Sequence, residues 1–88
     1  MVAQSNPWTV YIVECRDGTL YTGIAKDLDQ RLATHNAGRG AKYTAGRGPV
    51  KLVYQETADN RGQAQARESS IKKLNAQQKR TLINSGNM

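Results

Sequence analysis

Two tyrosines are the first candidates for chemistry in this sequence of 88 residues. Tyr11 and Tyr21 each lie in a segment rich in β-branched and aromatic residues, and Gly23 follows the second tyrosine by two positions. A phenol hydroxyl can orient water or a phosphate, and it can take up a proton if its pKa falls from the ordinary value of about 10. The same residues also suit a plain hydrophobic core with a bulge glycine. Because such short motifs are weak signals, they support a chemical site and a plain core about equally.

The turn between the tyrosines helps to decide, because a two-residue turn at "DG" would point them to opposite faces of a hairpin. A three-residue turn with Gly18 in the left-handed region would place both tyrosines on one face. Gly23 would then lie opposite Tyr11 and leave space beside its hydroxyl. We predict this second turn, since it also gathers an apolar set on the opposite face of the hairpin. The apolar set is Val10, Ile12, Leu20 and Ile24.

The elements that carry these residues follow from local patterns. Strands are predicted over residues 8–15, 20–24 and 50–56. Helices are predicted after three positions that cap helix N-termini well. These N-caps are Asp27, then Asp59 or Asn60, and finally Asn75, which opens a short last helix. The order β-β-α-β-α-α predicts an α+β fold with a small three-stranded antiparallel sheet flanked by helices, as one domain over residues 1–88 with its core over about 8–83.

The charge balance points to an anionic partner. The net charge is +6, a strong bias for a small chain, and it favours nucleic acid as the partner. Composition alone weighs this interpretation about equally against charge that only maintains solubility. The single cysteine, Cys15, excludes an internal disulfide and a multi-cysteine zinc site. No apolar run is long enough for a membrane helix or a signal-peptide core, so we predict no membrane partner. One reduced thiol and no export signal predict a cytoplasmic protein.

Three further polar residues are candidates for the same site. Arg31 and His35 lie four residues apart on the first helix, beside its apolar stripe rather than opposite it. Glu68 lies in the middle of the second helix, close to the apolar stripe of that helix. The plain explanations are a solvated face for the basic pair and an ion pair between Glu68 and Lys72, worth about 0.3–0.5 kcal/mol. The functional explanation of Glu68 is a metal ligand, since Mg²⁺ is often held by one carboxylate and several waters.

A glycine-rich basic loop follows the first helix, which ends at Gly38. The loop spans residues 38–49 and combines basic side chains with glycines, which let the backbone approach phosphates closely. A solvated charged loop is the plain alternative, but it would not account for Tyr43. We predict contacts with nucleic acid at six positions of the chain. These positions are Gly23, Lys26, Arg39, Lys42, Tyr43 and Arg47.

Together these residues resemble the GIY-YIG endonuclease superfamily, and most closely its small stand-alone bacterial members. The paired motif is "VYI" followed by "YTG", and the similarity runs from about Trp8 to Ile83. Val10 stands where the first motif has glycine, and Thr22 stands where the second has isoleucine. Each motif is short, but their order, spacing and matching elements make the resemblance fairly specific. The residues that match the site positions of the superfamily are Tyr11, Tyr21, Gly23, Arg31, His35 and Glu68.

The resemblance implies metal-dependent hydrolysis of phosphodiester bonds in nucleic acid. We expect DNA as the substrate, selected by its structure rather than its sequence, because the specificity module that such nucleases commonly carry is not found in these residues. The resemblance also implies one Mg²⁺ or Mn²⁺ ion, held by Glu68 on the leaving-group side. We expect the protein to be a monomer or a weak dimer.

The expected reaction gives each side chain a role. Tyr11 would take the proton of the attacking water or orient that water, with its pKa lowered by Arg31, by the metal ion or by a protonated His35. Tyr21 would orient the water or the phosphate, and Arg31 would stabilise the charge that develops on the phosphate. His35 would be either a second base or a phosphate donor.

Two other classes of function remain open. A nucleic-acid-binding module without catalysis would use the same basic face, and every positive charge would serve it equally well. Only Glu68 argues against this module, because a carboxylate within a phosphate site is repulsive unless a cation is present. A protein-interaction domain is the third class, and it leaves the basic loop without a role.

Overall fold

The computed structural model describes residues 7–37 and 49–86. Within those ranges the elements follow the predicted order β-β-α-β-α-α, and the fold is of the α+β class. The strands are β1 (Trp8–Glu14), β2 (Leu20–Ala25) and β3 (Lys51–Ala58). The helices are α1 (Leu28–Asn36), α2 (Arg61–Lys72) and α3 (Ala76–Gly86). Four of the six predicted contacts with nucleic acid lie outside the described residues, namely Arg39, Lys42, Tyr43 and Arg47.

The three strands form one antiparallel sheet in the order β2-β1-β3. The turn between β1 and β2 has the predicted three-residue form, in which the Cys15 amide donates to the Thr19 carbonyl at 2.8 Å. Gly18 has a φ of 87° in this turn, a backbone conformation that suits glycine because it has no Cβ atom. Tyr11 therefore lies opposite Gly23, and the predicted register is confirmed.

Side-chain caps fix where the helices begin. The Asp27 carboxylate accepts the backbone N–H of Gln30 at 3.1 Å, and of the two predicted caps of α2 it is Asn60 that accepts a first-turn N–H, at 2.9 Å. Asn75 and Gln78 form a reciprocal capping box with distances of 3.0 and 2.8 Å. From this cap α3 continues for 11 residues, which makes it longer than the sequence predicts. The described helices include none that is long and apolar enough to cross a membrane.

The sheet separates two clusters of buried side chains, because successive residues of a strand point to opposite faces. One cluster packs against α2 and α3, and we call it the α2–α3 face; it contains the apolar set gathered by the predicted register. Its buried members are Val10, Ile12, Ala58, Ala64, Ile71 and Ile83. The other cluster packs against Leu28 and Leu32 of α1, and we call it the α1 face. Its buried members are Tyr11, Val13, Cys15, Ala25 and Val50.

Candidate active site

The two tyrosines and the histidine predicted for the site meet on the α1 face. The hydroxyl of Tyr11 and Nε2 of His35 are hydrogen-bonded at 3.0 Å. Both side chains are buried, since each residue has only 1% of its surface exposed. The His35 ring also meets the Tyr21 ring edge-on, with the two centroids 5.4 Å apart. The sheet therefore brings two phenols to one imidazole, which is possible only because both tyrosines share a face.

His35 is more deeply buried than its predicted place beside the apolar stripe suggests. It is the one residue of α1 that is buried. Leu28, Leu32 and His35 follow one another at spacings of four and three, so the histidine continues the stripe for another turn. The spacing thus places His35 on the packed side of α1, but it does not show how deeply the side chain is buried. Arg31 by contrast is exposed, as expected at the border of the packed face.

Gly23 lets the two phenols come together. A Cβ atom on this residue would lie 2.6 Å from the hydroxyl oxygen of Tyr11, 2.8 Å from Tyr11 Cζ and 3.1 Å from Tyr21 Cε2. The space predicted beside the Tyr11 hydroxyl is thus filled by the phenol itself, which lies against β2 where no side chain stands. Gly23 has a packing role for this reason, and its contact with nucleic acid stays a prediction.

Burial keeps both partners of the Tyr11–His35 hydrogen bond neutral at pH 7. Loss of water, aided by the negative charges that Tyr21 and Glu68 can carry, raises the pKa of Tyr11 to about 12. Loss of water also lowers the pKa of His35, and the positive charge of Arg31 lowers it further. The predicted lowering of the Tyr11 pKa by Arg31 is present, but the cost of burying a phenolate is larger, so the net pKa is raised. A protonated His35 is disfavoured because its own pKa is lowered, so it does not supply the other predicted positive charge.

Arg31 and Glu68 bring opposite charges to the Tyr11 hydroxyl from two helices. Both charges act on the pKa of Tyr11, so both side chains lie within electrostatic reach of the phenol. The Glu68 side chain is 20% exposed, and its carboxylate forms an ion pair with Lys72 at 3.3 Å. The ion pair with Lys72, which is the plain explanation of Glu68, is thus observed. Because Lys72 is half-exposed, however, an ion pair of this kind contributes only about 0.3–0.5 kcal/mol.

A metal ion at this site would have to rely on Glu68. Among residues 7–37 and 49–86, no group of three or more histidine, cysteine, aspartate or glutamate side chains is placed to hold a metal ion. A site with one carboxylate still fits Mg²⁺ or Mn²⁺, since Mg²⁺ commonly keeps several waters and binds one or two carboxylates together with substrate phosphates. Glu68 suits this role because its largely buried carboxylate acts on the same phenol as Arg31.

A polar network that the sequence pattern did not reveal holds α2 against β3. Arg67 Nε donates to both carboxylate oxygens of Glu56, at 3.1 and 3.0 Å. The Tyr54 hydroxyl donates to the same carboxylate at 2.5 Å. Since Arg67 directly precedes Glu68, the network fixes the part of α2 that carries the proposed metal ligand. The sequence signal that could have indicated this network is the two-residue spacing of Tyr54 and Glu56, which puts both on the α2–α3 face.

The fold and the site together define the class of protein. The GIY-YIG catalytic domain family matches residues 7–81, so the chain belongs to the GIY-YIG family. The chain is 53% identical over 77 residues to a UPF0213 protein of Staphylococcus saprophyticus, covering 88% of this chain and 94% of that protein. It is 57% identical over 76 residues to a UPF0213 protein of Clostridium perfringens, covering 86% of this chain and 82% of that protein. The predicted family resemblance is confirmed.

Two solved structures share this fold. The solution NMR structure of the UPF0213 protein BH0048 from Bacillus halodurans has a TM-score of 0.58 at 41% identity, covering 89% of this chain and 83% of that one. The solution NMR structure of the protein EF2693 from E. faecalis has a TM-score of 0.62 at 33% identity, covering 97% of this chain and 94% of that one. The chain thus belongs to a family of nucleases, which act on nucleic acid.

Proposed function

We propose that this protein is a metal-dependent endonuclease that hydrolyses phosphodiester bonds in DNA and selects its substrate by structure. The observation that carries the proposal is the buried hydrogen bond between Tyr11 and His35 at 3.0 Å, beside a second tyrosine and within reach of one basic and one acidic side chain. Replacing both members of a buried hydrogen-bonded pair by apolar side chains of the same shape is nearly neutral or stabilising. Packing alone therefore does not require a phenol and an imidazole here, which supports a chemical role for the α1 face.

The attacking water would lose its proton to a relay rather than to a phenolate. With a pKa of about 12, only about one Tyr11 in 100,000 is ionised at pH 7. A neutral His35 is available instead, because its pKa is lowered. In the proposed step, the Tyr11 hydroxyl donates its proton to Nε2 of His35 while its oxygen accepts the proton of the water. The imidazole gains the positive charge, and the phenol stays neutral.

Arg31 would couple phosphate binding to this relay. Its positive charge lowers the pKa of His35 in the free protein. A substrate phosphate paired with Arg31 would offset that charge, so the imidazole would accept a proton more readily when substrate is bound. Arg31 would also stabilise the charge that develops on the phosphate, and the loss of such a contact typically costs about 10²–10³ in rate. Tyr21 would orient the water or the phosphate.

Glu68 would hold one Mg²⁺ or Mn²⁺ ion. Such an ion, when bound, stabilises negative charge on the phosphate and on the leaving-group oxygen. Glu68 must then give up its ion pair with Lys72, which measures 3.3 Å. The half-exposed Lys72 side chain can turn into solvent at little cost, since exposed pairs at this helical spacing contribute about 0.3–0.5 kcal/mol.

The alternative is a nucleic-acid-binding module without catalysis. The ion pair between Glu68 and Lys72 favours this alternative, because it gives Glu68 a role that needs no metal ion. In such a module the carboxylate is neutralised within its own helix, and the basic side chains bind the phosphate backbone as they would in a nuclease.

Incubation of the protein with labelled DNA and RNA, with Mg²⁺ or with chelator, tests the proposal. We expect metal-dependent cuts in DNA by the wild-type protein and none by Glu68→Ala, because that change removes the metal ligand. Binding of DNA by Glu68→Ala without metal should be unchanged or tighter, since a negative charge is removed from a site that phosphate must approach.

Lys72→Gln is the matched control for this experiment. It breaks the same ion pair but keeps the Glu68 carboxylate, so it should retain metal-dependent cleavage. Cleavage that survives chelator or Glu68→Ala would contradict the role of the metal. If Glu68→Ala unfolds the protein or weakens metal-free binding, then Glu68 is a structural partner of Lys72, and the binding module is the better assignment.

A further inference from the structure

A cavity of about 450 Å³ opens beside the candidate active site, where the beginning of β1, the end of β2 and the beginning of α1 meet. Its volume falls within the range of about 300–1,000 Å³ that is usual for small-molecule sites. Arg31 lies in its wall and also acts on the pKa of Tyr11 and of His35. The cavity and the candidate active site therefore share one side chain. The other polar or aromatic side chains of the wall are Trp8, Lys26, Asp27, Gln30 and Thr34.

Trp8 gives the cavity an aromatic wall. It is the single tryptophan of the chain, and it is only partly buried where it packs against the α2–α3 face. The Arg61 guanidinium lies 5.6 Å from the centroid of its ring, within the range of a cation–π interaction. Arg61 does not line the cavity, so this contact steadies the indole and leaves the space beside it open. A fixed aromatic ring beside an open space is the platform on which unpaired bases stack.

The polar part of the wall suits the rest of a nucleotide. Lys26 and Arg31 are exposed cations that can neutralise a phosphate. Asp27 carries the opposite charge, but its carboxylate already accepts the Gln30 backbone N–H at 3.1 Å as the cap of α1. The side-chain amide of Gln30 has both donors and an acceptor, which can meet the edge of a base. A ligand with a ring and a phosphate uses this wall more fully than a simple anion does.

We propose that this cavity binds an unpaired nucleotide next to the phosphate to be cut, with its base stacked on Trp8 and its phosphate held by Lys26, while Arg31 holds the phosphate to be cut. This proposal rests on the proposed function, because it takes nucleic acid as the substrate, and it specifies a single-stranded segment at the point of cleavage. Bases inside a duplex are stacked on their neighbours, so they reach Trp8 only after leaving the stack. The selection of substrate by structure would then arise in this cavity.

The fluorescence of Trp8 reports on the cavity directly, because the chain has no other tryptophan. The probes are a short single-stranded oligodeoxynucleotide, an abasic oligomer with the same number of phosphates, and a fully paired duplex, all with chelator to prevent cleavage. We expect the single strand to quench Trp8 and to bind about tenfold or more tightly than the abasic oligomer, since stacking of one base is worth a factor of about 5–150. Equal affinity for the two oligomers, or equal quenching by single strand and duplex, would overturn the proposal.

Two substitutions at Trp8 separate stacking from charge. Trp8→Leu should bind the single strand no more tightly than the abasic oligomer, whereas Trp8→Tyr keeps an aromatic ring and should keep most of the preference. Full retention of the preference by Trp8→Leu would show that the bases bind elsewhere. If circular dichroism finds Trp8→Leu unfolded, the comparison of probes on the wild-type protein and on Trp8→Tyr decides the question.

Lys26→Gln tests the phosphate contact in the cavity. It should weaken binding of the single strand and of the abasic oligomer to the same extent, because both carry phosphates. Lys73→Gln is the control, since Lys73 is an exposed lysine that caps the end of α2, and it should leave both affinities unchanged. Equal effects of the two lysine substitutions would mean that Lys26 adds only general charge, and the proposed phosphate contact would fall.

Cleavage assays keep this proposal distinct from the proposed function. Quenching by the single strand without any metal-dependent cleavage would support the nucleotide site in the cavity and contradict the nuclease activity. Metal-dependent cleavage without base-dependent quenching would support the nuclease activity and contradict the nucleotide site.

Discussion

The two faces of the sheet bury different kinds of side chain, although both are built from the same strands. On the α2–α3 face the buried cluster is apolar, and Val10 and Ile12 are completely buried. On the α1 face, Tyr11 and His35 are buried almost as fully, and both are polar and ionisable. The α1 face also buries apolar side chains such as Val13, so both faces stabilise the fold. A hydrogen-bonded polar pair adds less stability than apolar side chains of similar size, so the α2–α3 face should contribute more. On the α1 face two ionisable groups are held neutral in a fixed arrangement.

Truncation on the α2–α3 face should give the largest loss of stability. Ile12 has no exposed surface, and Ile12→Ala should lower the free energy of unfolding by about 2–5 kcal/mol, out of a total that is typically about 5–15 kcal/mol. Tyr11→Phe on the other face should cost about 1–3 kcal/mol, because it removes the buried hydrogen bond between the Tyr11 hydroxyl and His35. Denaturant unfolding measures both values. A larger loss for Tyr11→Phe would contradict the division between the faces.

Adding a single methyl group at Gly23 on the α1 face should also lower the free energy of unfolding. A methyl group on Gly23 would lie 2.6 Å from the Tyr11 hydroxyl, so Gly23→Ala should lower stability by about 1–3 kcal/mol and separate Tyr11 from His35. Gly18→Ala is the matched control. It has open space around its Cβ position and strains only the turn, at about 1–2 kcal/mol. Nitrogen chemical shifts of the His35 ring should change in Gly23→Ala and not in Gly18→Ala, and unchanged shifts in both would show that the close approach is not required.

Thr22 is the exception on the α2–α3 face, and removing its hydroxyl should give the smallest effect. It lies opposite Ile12, and its Oγ1 is buried with no hydrogen-bond partner in the described part of the chain. Thr22→Val should therefore raise the free energy of unfolding by about 1 kcal/mol. Thr57→Val, at an exposed position of β3, should change it by less than about 0.5 kcal/mol. A destabilised Thr22→Val would show that the hydroxyl makes a contact that the folded state needs.

The hairpin could be predicted in detail because a turn type fixes the register of the strands that it joins. The placement of Gly18 favours a three-residue turn, and this turn puts Tyr11 opposite Gly23, as observed. The beginnings of α1 and α3 could be predicted for a similar reason, since Asp27 and Asn75 satisfy backbone groups of their own first turns. Features that depend on residues close together in the sequence could therefore be predicted.

Features that arise between elements were not accessible from the sequence. His35 is one polar residue at the end of a stripe until α1 packs against the two tyrosines, and only this packing buries it. The raised pKa of Tyr11 follows from the same burial, which no spacing of residues reveals. The cavity beside Trp8 needs three elements to form its wall. Sequence spacing thus predicted which side chains share a face, but it did not predict their depth or their protonation.

The central claim is that the α1 face holds Tyr11 and His35 as a neutral pair that accepts the proton of the attacking water. The most direct test is the rate of metal-dependent DNA cleavage at DNA concentrations well below saturation, measured as a function of pH, because this rate reports the pKa values of the free protein. Because the pKa of His35 lies below its ordinary value of 6.5, the imidazole is neutral at and above that pH and gains its proton only at lower pH. The neutral pair therefore predicts a rate that is level between about pH 7 and 9 and falls as the pH drops below about 6.5. A rate that instead rises about tenfold per pH unit from pH 7 to 9 would show that a group with a pKa above about 9 must lose its proton first, as a phenolate base at Tyr11 requires, and would contradict the claim.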